Sequence, residues 1–180
     1  RAYNITPTMD SNLFLTAATR WIGDVVFDGP NHALAQHLTK HTDKRVYRYI
    51  FDIRNPFPGQ PFYQLAHHWV DVYFVFRTFQ FRYPTEALKQ ISDQHARLWV
   101  TFANGKAPWK EYRVTEGNSR EVVMVADERD GWVERSVAEN ERLNEWSWKR
   151  CEKLWESWGA QNGSWFLPLK IKPLEGRKLV

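Results

Sequence analysis

The chain has 180 residues, 43% of them hydrophobic and 26% charged, a balance that fits about one globular domain. No apolar run approaches the ~18–20 residues of a membrane-spanning helix. The net charge of +4 is interspersed, with 10 basic and 7 acidic residues up to position 90 and 15 and 14 beyond it, which disfavours a nucleic-acid partner.

Cys151 is the single cysteine, so an internal disulfide and a cysteine-built zinc site are excluded. The chain opens on Arg1 without a signal peptide, and RAYNITP reads like the interior of something longer, so a fragment or processed product is expected. Two N-x-S/T triplets, at Asn4 and Asn162, lean the open choice between secreted and cytoplasmic slightly towards secreted.

Asp10 precedes a helical repeat of Leu13, Ala17 and Ile22 and stands at its N-cap. Gly29-Pro30 is expected to break the chain, with Pro30 in the first turn of a second helix over 31–41. There His37 and His41 share a face, but no third ligand is near. They are read as a polar face and no metal is expected. Arg45 to Ile53 is β-branched and aromatic and predicts a strand.

Asn55 to Pro61, with three prolines and a glycine, is loop. It leads to His67 and His68, after which Asp71 can cap a short helix through Phe76. Glu86 to Asn104 predicts one helix with Leu88, Ile91, His95, Leu98, Trp99 and Phe102 at helical spacing, ended by Asn104-Gly105. Glu121 to Ala126 predicts a buried strand. Asp130-Gly131 is expected to turn the chain into a long amphipathic helix over 132–158, with Trp148, Cys151, Trp155 and Trp158 as a core stripe. The tail from Gly159 is expected to be ragged. Two strands cannot form a self-sufficient sheet, so the pattern is that of the end of a larger α/β sheet.

A neutral imidazole can accept a hydroxyl proton and return it to a leaving group, given a nucleophile on one side and a carboxylate on the other. His68 follows a strand, in a loop stiffened by Pro56, Pro58 and Pro61, which is a suitable mount. From the residues alone, a structural histidine hydrogen-bonded within an aromatic loop is the favoured reading.

Three spaced motifs, VYRYIFDIRNP, AHHWVDVYFVF and LWVTFANGKAPW, resemble the C-terminal third of type-B carboxylesterases, the cholinesterase-like branch of the α/β-hydrolase fold. Tyr47, Tyr49 and Phe51 match the family strand, and Trp99, Phe102, Ala103 and Pro108 fit the later motif. Phe74, Val75 and Phe76 set the register and place the family histidine on His68. The resemblance is close over residues 20–112, and the Trp-rich helix beyond suits a fungal-like subgroup. It implies an α/β fold made of the C-terminal portion of an α/β-hydrolase, with few strands, several helices and an incomplete sheet. Residues 1–112 would carry the histidine loop, and residues 113–180 the terminal strand, long helix and tail of the same domain. No cofactor is implied, and the expected partner is a small-molecule ester met by the complete protein. Oligomeric state is left open.

The chain departs from the family at Trp69, where the family has glycine, so the space beside the imidazole is expected to be narrower. Asp71 matches the family acid after the histidine and is expected to support the loop, since the triad carboxylate of the family comes from an earlier segment. No G-x-S-x-G elbow occurs in the 180 residues; Gly117-Asn118-Ser119 is followed by Arg120 and Glu121, and Gly163-Ser164 also fails. The glycine-rich oxyanion loop is absent too. Hence the first expectation is the C-terminal segment of a Ser-His-acid ester hydrolase, inactive alone, with His68 as general base and acid. The alternative is a non-catalytic truncated paralogue or a cholinesterase-like interaction module. A third reading, an aromatic module stacking single-stranded nucleic acid, fits less well, because the tryptophans lie on helical faces and fold motifs.

Overall fold

The structure, a computed structural model, describes residues 3–114, 121–143 and 148–160. They fall into two compact units, one formed by the chain up to Ala33 and from Lys149 onward, the other by Leu34–Trp148.

In the first unit Asp10 caps α1 (Ser11–Gly23), accepting from the backbone N–H groups of Asn12 and Leu13 at 2.9 and 3.4 Å. The expected break at Gly29-Pro30 does not occur. A π-helical segment, Asp24–Asp28, carries the chain straight into α2 (Gly29–His41). The N–H of Gly29 donates to the carbonyl of Asp24 across this wider turn. Pro30, which has no N–H to give, then falls in the first turn of α2, where none is required. A β-carbon on Gly29 would lie 2.9 Å from the Asp24 carbonyl oxygen. Gly29→Ala is therefore expected to cost about 1–3 kcal/mol in urea denaturation; an unchanged midpoint would show that the π turn yields.

Buried Asp24 accepts from Tyr3 Oη at 2.8 Å and Arg150 Nε at 2.9 Å. No residue of α1 is buried, and Leu13, Leu15 and Ile22 are more than half exposed. Its helical period was legible, but its apolar face has no cover within the described residues. Cys151 of α6 (Trp148–Ala160) is buried. The side chains of Trp148, Trp155 and Trp158, the rest of the expected stripe, lie outside the described residues.

The second unit is built on a three-stranded sheet in the order β1 (Tyr49–Asp52), β2 (Val122–Asp127), β3 (Gly131–Ser136). β1 and β2 are parallel, with Tyr49 opposite Met124, whereas β2 and β3 form an antiparallel hairpin. The expectation of a long helix beginning at Trp132 is thus corrected: residues 131–136 are a strand, and helix resumes only in α5 (Val137–Leu143). The reason is the turn. Asp127 Oδ1 accepts from the N–H groups of Arg129 and Asp130 at 2.9 and 2.7 Å, and Gly131 takes φ 69°. A left-handed glycine after a three-residue loop returns the chain as a hairpin. The next residues then alternate, with Trp132 on one face and buried Arg135 on the other.

On one side of the sheet, α3 (Val70–Val75) and α4 (Glu86–Ala103) cover β1. Thr85 caps α4, accepting from Leu88 N–H at 3.3 Å. Ile53, Phe57, Val70, Phe74, Tyr83, Leu88, Ile91 and Ala126 form one core. Phe74 stacks on Tyr83 at 4.5 Å, and Ser92 Oγ donates to the Phe74 carbonyl at 2.7 Å. A second cluster of Ala35, Tyr112, Val123 and Val125 is also buried. The result is an open α/β sheet with the histidine loop leaving the carboxyl end of β1. No described helix is long and apolar enough to cross a membrane.

Candidate functional site

Asn55, three residues past β1, shapes the loop. It is buried and uses all its polar groups. Its N–H donates to Leu65 O at 2.9 Å and its carbonyl accepts from Gln64 N–H at 3.0 Å. Its side-chain Nδ2 donates to Pro61 O at 3.1 Å, and its Oδ1 accepts from Phe57 N–H at 3.1 Å. Buried polar groups are stable only when paired, so one residue closes 55–65 into a compact Ω-like loop. Sequence reading passed over Asn55; the trace it leaves is a lone Asn at the head of a proline-rich loop.

The closed loop delivers His67 and His68 on a tight turn. Val70 N–H donates to His67 O at 3.3 Å. Trp69, the third residue of that turn, has φ 82° and ψ −12°. These are the angles a type II turn requires there, and glycine is its usual occupant. For a residue with a β-carbon the left-handed region costs about 1–2 kcal/mol. His68 occupies the outer corner and is exposed. His67 turns back: its Nδ1 lies 2.6 Å from the His68 carbonyl oxygen, so Nδ1 carries the proton and donates. Its ring also packs against Phe62 at 5.2 Å. The two neighbours therefore differ, one imidazole presented and the other holding the turn.

Trp69 is 56% exposed, and its ring meets that of His68 edge-on, with centroids 5.7 Å apart and planes at 73°. Asp71 does not cap α3. The N-cap position is Trp69, without a side-chain bond, and Asp71 lies inside the first turn. Its Oδ2 accepts from Tyr49 Oη at 3.2 Å, which ties α3 to β1. Burial first, and then the Asp71 charge, push the Tyr49 hydroxyl well above its ordinary pKa, so it remains a donor.

A further histidine packs against the sheet. His95 of α4 is 1% exposed, stacked on Phe51 at 5.1 Å and against Trp132 at 4.9 Å. Its Nε2 accepts from Trp99 Nε1–H at 2.8 Å. Burial pushes its pKa down from 6.5 to about 4. Below pH 6.5 the unfolded chain binds a proton that the folded chain takes up only near pH 4. His95 thus contributes full stability above that range, and roughly 3 kcal/mol is lost as pH falls through it. Urea melts at pH 7 and pH 4.5 check this. His95→Phe is expected to flatten the difference, and an equal pH dependence in both proteins would contradict it.

Among the described residues no group of three or more His, Cys, Asp and Glu side chains could hold a metal. His37 and His41 stand 4.8 Å apart, ring to ring, on the exposed end of α2. A shallow depression of about 460 Å³ is lined by Arg77, Asp93, Arg97 and Thr101, away from the histidine turn.

The model of the carboxylesterase family matches residues 2–146. Two solved structures of PNB esterase resemble the chain. One is 24% identical with a TM-score of 0.55, covering 71% of this chain and 27% of its own. The other is 22% identical with a TM-score of 0.51, covering 77% and 34%. This chain thus spans about a third or less of the length of those esterases. No curated protein matches it. With an open three-stranded sheet that fits one part of an α/β-hydrolase, and a family match over most of its length, the chain belongs to the carboxylesterase family.

Proposed function

We propose that this chain supplies the histidine-bearing C-terminal part of a serine ester hydrolase, with His68 as its proton-transfer residue. The observation that carries this reading is the turn. His68 stands exposed at the outer corner, and the residue after it holds a glycine-like backbone, as the family's histidine-glycine pair would. The serine and the triad acid come from polypeptide other than these 180 residues.

In that site the serine hydroxyl gives its proton to the His68 imidazole as its oxygen attacks the ester carbonyl carbon. The imidazolium then passes the proton to the departing alcohol oxygen, which leaves an acyl-serine. Water repeats the sequence with His68 again as base, and the acid is released. His67 fixes the His68 carbonyl, and Asp71 anchors the following helix to β1. Such supports hold a base in productive geometry without touching substrate. Turnover of an aryl ester by the complete domain, with His68 intact and replaced, tests the assignment.

A second reading, a non-catalytic interaction module, has its own observation in α1, whose Leu13, Phe14, Leu15, Trp21 and Ile22 are exposed. Thermal melting of the 180-residue chain separates the two. A sharp cooperative melt of a monomer favours the module. A broad melt with dye binding to apolar surface favours a part that needs the rest of an esterase domain.

A further inference from the structure

We infer that Trp69 is a specificity-determining residue whose indole contacts the alcohol portion of the ester and favours a flat aromatic group there. The inference rests on the reading of His68 as the proton-transfer residue.

The position is an awkward one for tryptophan. The turn holds it at φ 82°, where glycine fits freely and a β-carbon is penalised. Core packing does not compensate in full, because the residue is 56% exposed. What the side chain does reach is the imidazole, edge-on at 5.7 Å. The indole is thus an exposed apolar surface beside the His68 ring.

Reaction chemistry decides which half of the ester meets the indole. A general acid must stand within hydrogen-bond reach of the atom it protonates, and here that atom is the leaving alcohol oxygen. A ring adjoining the imidazole therefore adjoins the alcohol group rather than the far end of the acyl group. Indole and benzyl rings attract each other in offset or edge-to-face contact, beyond simple area burial. A methyl group gains little of this.

The test compares benzyl and methyl esters of one carboxylic acid in the complete domain, with Trp69→Gly and Trp69→Asn, two residues that tolerate left-handed backbone. The benzyl-to-methyl ratio of kcat/KM is expected to fall about tenfold in both variants, and Trp69→Phe is expected to retain most of it. An unchanged ratio, with His68→Ala abolishing both reactions, would overturn the role of Trp69 and leave His68 standing. Activity surviving His68→Ala would overturn the underlying reading instead. Melting of the complete domain gives an independent check. Trp69→Gly is expected to melt no lower than the parent domain, whereas a clear drop in both variants would make the indole a structural prop and overturn the inference.

Discussion

Replacing His68 with alanine is expected to lower kcat/KM for an aryl ester by about 10⁴- to 10⁶-fold in the complete domain, because the proposed role makes it a triad member, and losing one forfeits nearly the whole advantage. Stability should change little, since His68 is exposed and outside both hydrophobic clusters. His67→Ala is the paired control. It removes the 2.6 Å bond to the His68 carbonyl but leaves the presented imidazole, so the loss should stay near tenfold. Asparagine at position 67, whose Nδ2 can occupy the place of Nδ1, is expected to recover part of it. The two effects differ by orders of magnitude, so ester kinetics distinguish the roles clearly. If His67→Ala proved the more damaging variant, the register would be off by one residue, and the base would be the imidazole now seen holding the turn.

The largest stability effect is expected at Asp127, at the carboxyl end of β2. Asp127→Ala should cost about 3–5 kcal/mol, because removing one member of a buried ion pair strands the other. The stranded group is the Arg135 guanidinium, whose side chain is 2% exposed and hydrogen-bonded to Asp127 Oδ2. Its second partner, Asp130 at 2.6 Å, is more open to solvent. The substitution also removes the acceptor for the Arg129 and Asp130 N–H groups that closes the hairpin. One effect opposes these losses. Asp52, opposite Asp127 in the parallel pair, is held above the usual carboxylate range by burial first and then by the Asp127 charge. Relieving that repulsion recovers the smaller part, since burial is the leading cause and is untouched. Asp127→Asn keeps the turn acceptor and should cost less. Urea denaturation at neutral pH measures both, and a loss below about 1 kcal/mol for the alanine variant would mean that Arg135 finds other partners.

The His95 and Gly29 substitutions probe places where local pattern and fold interact differently. His95 was legible as an inner position of α4, because Leu88, Ile91 and His95 repeat at helical spacing. Its suppressed protonation was not legible, since that depends on Phe51 and Trp132 from two strands. Gly29-Pro30 reads as a stop by every local rule. The π segment before it let the helix continue, a choice made by backbone bonds over five residues rather than by residue type.

The sequence by itself determined the helices at 11–23 and 86–103, the helical run over 31–41 though not its continuous start, the strands preceding the histidine loop and at 122–127, and the placing of a strand before two histidines. Periodicity, caps and breakers act over a few residues, and a short window holds all the information they need. It also carried the spaced motifs that point to the carboxylesterase family. Only the tertiary structure decided that residues 131–136 join the sheet, because β2 offered an edge and Asp127 closed the turn onto it. The motif register had already set His68 apart from His67, and the tertiary structure adds a difference of setting, His68 exposed and His67 bonded into the turn. The difference lies in one left-handed residue, Trp69, and in four bonds to Asn55 that close the loop beneath it. Contacts of that kind join residues distant in sequence or set a backbone angle against its local preference, and neither is written in residue spacing.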